Sequence, residues 1–324
     1  MKAALPPTAA RPRSGSGHWT AFIGASIVGA GLLLLFLDWL GTDYTFLAGY
    51  TILQFVALAT AWNILGGYAG YVNFGTAGFF AIGVYSSVVM YKTVHWPLIF
   101  SIPVAAAVAG LAGLGMGYLT LRLRGIFFSI GTLALAVVLN TFVINWSFVG
   151  GSRGAYVMRP PTVEFFGSYS RYLFVVMLAM AIGTVLIARL IERSWLGRGL
   201  AALKDDEMAA ECAGVPSLRM KLLATTISGA LLGAVGAPFP YFVTYIDPAS
   251  AFSLSIAVNT IAMALIGGTS TWVGPVIGAL LVASLQQVVT VTISSAANLL
   301  IVGVLLVIFI TLAPNGIIGV FKPR

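Results

Sequence analysis

The residues best able to do chemistry in this sequence stand close together. Lys204, Asp205, Asp206 and Glu207 are consecutive, Glu211 follows four residues on, and Glu192, Arg193 and Arg198 precede them. The whole chain has 17 basic and 9 acidic residues, and five of those acids fall in this one window. A dense set of both signs suits docking against another protein by complementary charge, although a solvated connector would read the same way. The residues needed for catalysis are not visible. Of the lysines, only Lys92 precedes a Thr, and Tyr91 rather than Gly stands before it, so no phosphate-cradling Gly-Lys-Ser/Thr loop exists. There is no H-E-x-x-H helix, and the single Cys212 excludes an internal disulfide and a Cys/His zinc cluster. His18 and His95 each adjoin a Trp, which fits a position at a membrane interface better than ligation.

The elements that must position the charged window are apolar. With 59% hydrophobic residues and a mean hydropathy of +1.00, the composition is that of an all-α protein crossing a membrane many times. The basic excess does not gather into a nucleic-acid-binding stripe. Apolar runs predict ten spans at about 20–38, 45–65, 77–92, 97–120, 126–147, 172–191, 219–244, 256–273, 276–294 and 297–313. Residues 1–18 read as a cytoplasmic tail before an uncleaved first span, 19–318 as the transmembrane domain and 319–324 as a second tail. Lys and Arg in the short loops put both termini, Arg122 and Arg124, and the 192–218 segment on the cytoplasmic side, with 148–171 a loop on the opposite face.

Eight charges in the bilayer would cost over about 20 kcal/mol, so the charged window lies outside it. Strong helix formers in LAALKDDEMAAEC, followed by Gly214 and Pro216, predict one helix of roughly three turns. Leu200, Leu203 and Ala210 would form its apolar side, and Lys204, Glu207 and Glu211 its charged side. Ser217 is expected to cap the next span, with Arg219 and Lys221 at the interface.

Two stretches break the apolar pattern with glycine: NILGGYAGYVNFGTAGFFAIG, 63–83, and ALIGGTSTWVGPVIGALLVA, 264–283. Paired interruptions of this kind point to an internal repeat and a solute path, and close packing of small residues is the plainer reading. Asn63, Asn73, Gly75, Asn259, Gly267 and Gly268 are the path candidates. The other polar residues in the spans, Gln54, Asn140, Asn145 and Gln286, are expected to hydrogen-bond between helices. Asp38, Asp43, Glu164 and Asp247 fall at span ends or in loops, which argues against a transporter driven by protons or sodium.

RGLAALKDDEMAAECAGV, 198–215, resembles the cytoplasmic signature of permease subunits of ABC importers for branched-chain amino acids. The likeness continues through GGYAGYVNFGTAGFFAIG, YIDPASAFSLSIAVNTIAMALIGGTSTWVGPVIGA and APNGIIG, in the family's order and closer to its longer M-type subunit. The resemblance implies a bacterial inner-membrane importer with a second, H-type permease subunit, two cytoplasmic ATPases and a periplasmic binding protein. ATP and Mg would be bound by the partner subunits, with no cofactor in this chain. It also implies that Lys204, Asp205, Asp206, Glu207, Glu211 and Gly214 belong to a coupling helix seated in an ATPase groove. Branched-chain, hydrophobic amino acids are the expected solutes; urea, short amides and aromatic acids are served by similar permeases. One departure is Arg153 in VGGSRGAYV, where family members often carry an acid or Asn.

Overall fold

The computed structural model describes residues 43–120, 123, 125–158, 162–163, 167–292 and 316–321, with isolated positions in 22–31 and 300–311. Met1–Thr45 and Phe46–Arg324 are separate units, and the described positions of the first are helical. Eight stretches among the described residues are long and apolar enough to cross a bilayer. They are α1 (Asp43–Gly66), α2 (Thr76–Val94), α3 (Leu98–Thr120), α4 (Ile126–Ile144), α5 (Tyr169–Arg193), α8 with α9 (Ser217–Gly236 and Phe239–Val243), α10 with α11 (Pro248–Ala251 and Leu254–Gly267), and α12 (Val273–Thr292). Each overlaps one of the expected spans, the one expected at 256–273 lying at Pro248–Gly267 instead. Of the expected first and last spans only isolated positions are described, and those are helical.

Helix formation follows from the solvent, because hydrocarbon offers no partner for an open amide or carbonyl. Packing between the helices depends on small residues. Ala105, Ala109 and Gly113 on α3 face Thr225, Gly229 and Gly233 on α8, two rows at four-residue spacing that let the backbones approach. A Cβ built on Gly233 would lie 2.1 Å from that of Ala109, and one on Gly83 of α2 only 1.8 Å from the Gly233 carbonyl oxygen. α3 and α4 turn Leu111, Ile126, Phe127 and Val138 outward, as spans facing apolar surroundings should.

The charged window does not form the single helix expected of it. It is divided into α6 (Trp195–Asp205) and α7 (Glu207–Cys212), with Asp206 extended between them at φ −155° and ψ 112°. The cause is local competition: the Asp206 carboxylate accepts from the Ala209 amide, and such a side-chain cap requires non-helical backbone at the capping residue. Ser194 caps α6 in the same way, accepting from the amides of Leu196 and Gly197. Ser217 is not a cap. Pro216 occupies that position, and the Ser217 hydroxyl donates to Glu211 instead.

At the end of the bundle away from this window, β1 (Ala155–Tyr156) pairs antiparallel with β4 (Tyr245–Ile246), and β2 (Thr162–Val163) pairs with β3 (Gly167–Ser168). Ser147–Val149 and Gly151–Arg153 form two 3-10 turns, with positive φ at Gly150, Gly151 and Gly154. Ser152 therefore has the Gly-x-Ser-x-Gly spacing of a nucleophile elbow without its strand–turn–helix setting. Arg153 is exposed, and its carbonyl accepts from the Tyr245 hydroxyl. His95 is also exposed here.

Candidate functional site

The apolar face of the charged window was legible as such: Leu200, Leu203 and Ala210 are buried. They pack with Ile64 and Leu65 of α1, Tyr68 just after it, Ala188 and Ile191 of α5, Phe128 of α4, and Met220 and Ala224 of α8. Burying each leucine favours this arrangement by about 1.5–3 kcal/mol. Gly214 ends α7 at φ +86°, where the Val215 amide reaches the Ala210 carbonyl and the Gly214 amide that of Glu211. These bonds close the helix as a glycine stop should. No neighbour would obstruct a side chain there, so Gly214→Ala should cost only the backbone strain, about 1–2 kcal/mol. Thermal unfolding of the purified chain measures it, and Gly214→Asn should lose less.

Three of the window's charges reach inward. The Lys204 ammonium donates to the Gly67 carbonyl at 2.8 Å. Glu207 meets Lys221 at 2.6 Å, and that lysine, expected at an interface, is buried with its side chain 3% exposed. Tyr71 completes a ring: Lys221 donates to its hydroxyl at 2.6 Å, and the hydroxyl donates to Glu207 at 2.9 Å. The Lys221 ammonium also lies 4.5 Å from the Tyr71 ring centre. At the end of α5, Glu192 accepts from the Trp272 amide at 2.8 Å and from the Tyr68 hydroxyl at 3.3 Å. Burial pushes the Tyr68 phenol well above its ordinary value, the Glu192 carboxylate adds to this, and Tyr71 is raised by burial too. The Arg189 guanidinium sits 5.5 Å over the Trp272 ring.

Gly67, Tyr68 and Tyr71 belong to the first glycine break, residues 67–75, and Trp272 to the second, 268–272. The structure thus brings both breaks to the charged window as connections between spans. The breaks also touch each other. Asn63, fully buried, donates from Nδ2 to the Thr271 carbonyl at 3.4 Å, and a Cβ on Gly67 would lie 2.7 Å from the Thr269 carbonyl oxygen. α13 (Gly316–Phe321) reaches the same place, with Gly316 against Gly268.

The other path candidates have structural partners. The Asn73 carbonyl accepts from the Trp62 indole at 2.9 Å and the Thr76 hydroxyl at 3.0 Å, while its Oδ1 accepts from the Gly75 amide at 2.8 Å. Asn259 lies apart from the junction and accepts from Gln286 at 3.5 Å. Gly267 and Gly268 form the turn between α11 and α12. The role of Lys221 was missed in the sequence. Its spacing from Glu207 crosses two helix ends, and only the burial of a lysine reveals the pair. Facing outward from the window are Asp205, Met208, Glu211 and Cys212, with Met208 66% exposed. Among the described residues no cluster of three or more His, Cys, Asp or Glu could hold a metal.

Residues 44–310 match the family described as the permease component of branched-chain amino acid transport systems. The high-affinity branched-chain amino acid transport system permease protein LivM of Escherichia coli K12 is 26% identical over 298 residues, covering 83% of this chain and 69% of the relative. The protein of the same name from Salmonella typhimurium LT2 is likewise 26% identical over 298 residues, with the same coverage. A probable branched-chain amino acid transport permease protein LivH of Methanocaldococcus jannaschii is 25% identical over 269 residues, covering 76% of this chain and 83% of the relative. No solved structure matches.

Proposed function

The chain belongs to the family of branched-chain amino acid transport permease components, and from that premise we propose that it is one of two unlike membrane subunits of an ATP-driven importer. In this reading it lies in the bacterial inner membrane with both termini cytoplasmic. A periplasmic binding protein delivers branched-chain, hydrophobic amino acids, and an H-type permease subunit completes the path. Two cytoplasmic ATPases bind ATP and Mg. The names of the relatives support the solute class. The observation that carries the ATP-driven part is the charged window itself, which is bonded inward to both glycine breaks and presents Asp205 and Met208 outward. A mere connector needs no such ties.

Docking on a partner groove uses the outward side chains, not the inward ones. Asp205→Lys combined with Met208→Glu should therefore leave the chain at its normal level in membranes. The ATPase subunits should no longer co-purify with it, and leucine uptake should fall by at least about tenfold, as loss of a central contact implies. Normal uptake and co-purification in the double variant would exclude the window as the ATPase seat. Asn63, Asn73, Gly75, Asn259, Gly267 and Gly268 remain proposed for the solute path, the junction residues acting at its cytoplasmic mouth.

A further inference from the structure

We propose that Lys221, Glu207 and Tyr71 form a three-way lock that makes α7 and the first glycine break move as one body. The proposal rests on the charged window being the ATPase seat and assigns its transmission to these three side chains. A buried ion pair is a poor source of stability, since desolvation cancels most of its Coulomb energy. Its strength is geometric: a lysine deprived of water holds to the one place where its charge is met. Here that place is shared by two elements, because the Glu207 carboxylate belongs to α7 and the Tyr71 hydroxyl to the loop 67–75. α8 supplies the lysine, so three segments meet at one ammonium.

The lock has a second tie beside it. Lys204, on α6, holds the Gly67 carbonyl, so the two short helices on either side of Asp206 are each fastened to the same loop. A push on the exposed side of α7 is then delivered to Tyr71 instead of being absorbed by bending at Asp206. Tyr71 passes it on, because its ring meets Phe128, at the start of α4, edge-on at 5.1 Å. Gly67 adjoins the Thr269 carbonyl, which brings in the second break. Lys221 is accordingly a positioning residue that acts through Tyr71 and Glu207.

Two measurements test this. In the assembled importer, with leucine as the probe, Lys221→Met should lower import at least about tenfold while ATP hydrolysis per complex continues, as when a link in a two-state network is cut. Lys221→Arg should retain most import. The exchange Lys221→Glu with Glu207→Lys should restore what Glu207→Lys alone removes, a rescue that simple loss of folding would not give. If Lys221→Met fails to accumulate, Tyr71→Phe takes its place, since it removes both hydroxyl bonds and keeps the ring.

The second measurement needs no partner. Cys212 is the chain's sole cysteine and is exposed, so spin labels at Cys212 and at Val72→Cys report the distance between α7 and the loop. The native chain should give one narrow distribution, and Lys221→Met or Tyr71→Phe a broad one. A narrow, unshifted distribution together with undiminished import would overturn the lock. Failure of the ATPases to bind even the native chain would instead remove the docking reading, and the distance measurement would still decide the lock.

Discussion

Gly267→Ala is expected to cost the protein its second glycine break and much of its stability. The added methyl carbon would lie 1.8 Å from the Gly274 carbonyl oxygen and 2.5 Å from its carbon. Both are backbone atoms, so no side chain can rotate aside. α11 and α12 would have to separate along a contact so close that a Cβ on Gly278 would lie 2.0 Å from the Met263 carbonyl oxygen. The loss should reach or exceed about 3 kcal/mol, the upper part of the usual range for overpacking. Chain level in membranes and the thermal midpoint of the purified protein measure it. Gly183→Ala is the control, because nothing lies within 4 Å of its Cβ position, and it should gain up to about 1 kcal/mol. A native midpoint for Gly267→Ala would show that the α11–α12 turn can yield.

The second large effect belongs to Glu192. Its Oε2 serves the Trp272 amide and the Tyr68 hydroxyl together. Glu192→Ala would remove the acceptor that the part-buried Trp272 amide uses here, at about 1–3 kcal/mol. The Tyr68 hydroxyl keeps a long bond to the Ala188 carbonyl at 3.4 Å, so the total should be about 2–4 kcal/mol. Glu192→Gln retains an acceptor oxygen and should lose less than half as much. Amide exchange at Trp272 should quicken in the same order, Ala beyond Gln. Equal exchange in the native chain and in Glu192→Ala would mean that other contacts hold the second break.

The spans were legible because the bilayer imposes a length and a composition, and the eight described ones follow both. The burial of Leu200, Leu203 and Ala210 was legible for a similar reason, since helical spacing alone sorts them from the charges. What could not be read was where each charge would go. A charged side chain has no preferred face until a partner is known, and the partners here come from other parts of the chain: Gly67 for Lys204, Tyr71 for Glu207, and Trp272 for Glu192. The division at Asp206 escaped for another reason. Asp is both a tolerable helix residue and a good cap, and tertiary packing decides which. The glycine breaks were seen, but their meeting at Asn63 and Thr271 joins residues 208 positions apart, a pairing that composition does not encode.

The small-residue seam between α3 and α8 has a consequence for temperature. Alanine and glycine have no side-chain rotamers to freeze when helices associate. Among lipid tails, moreover, no water is released, so the attraction between the two rows is dispersion between close atoms. The hydrophobic effect fades on cooling, and dispersion does not depend on it. The contact between these two helices is therefore one that cold does not loosen.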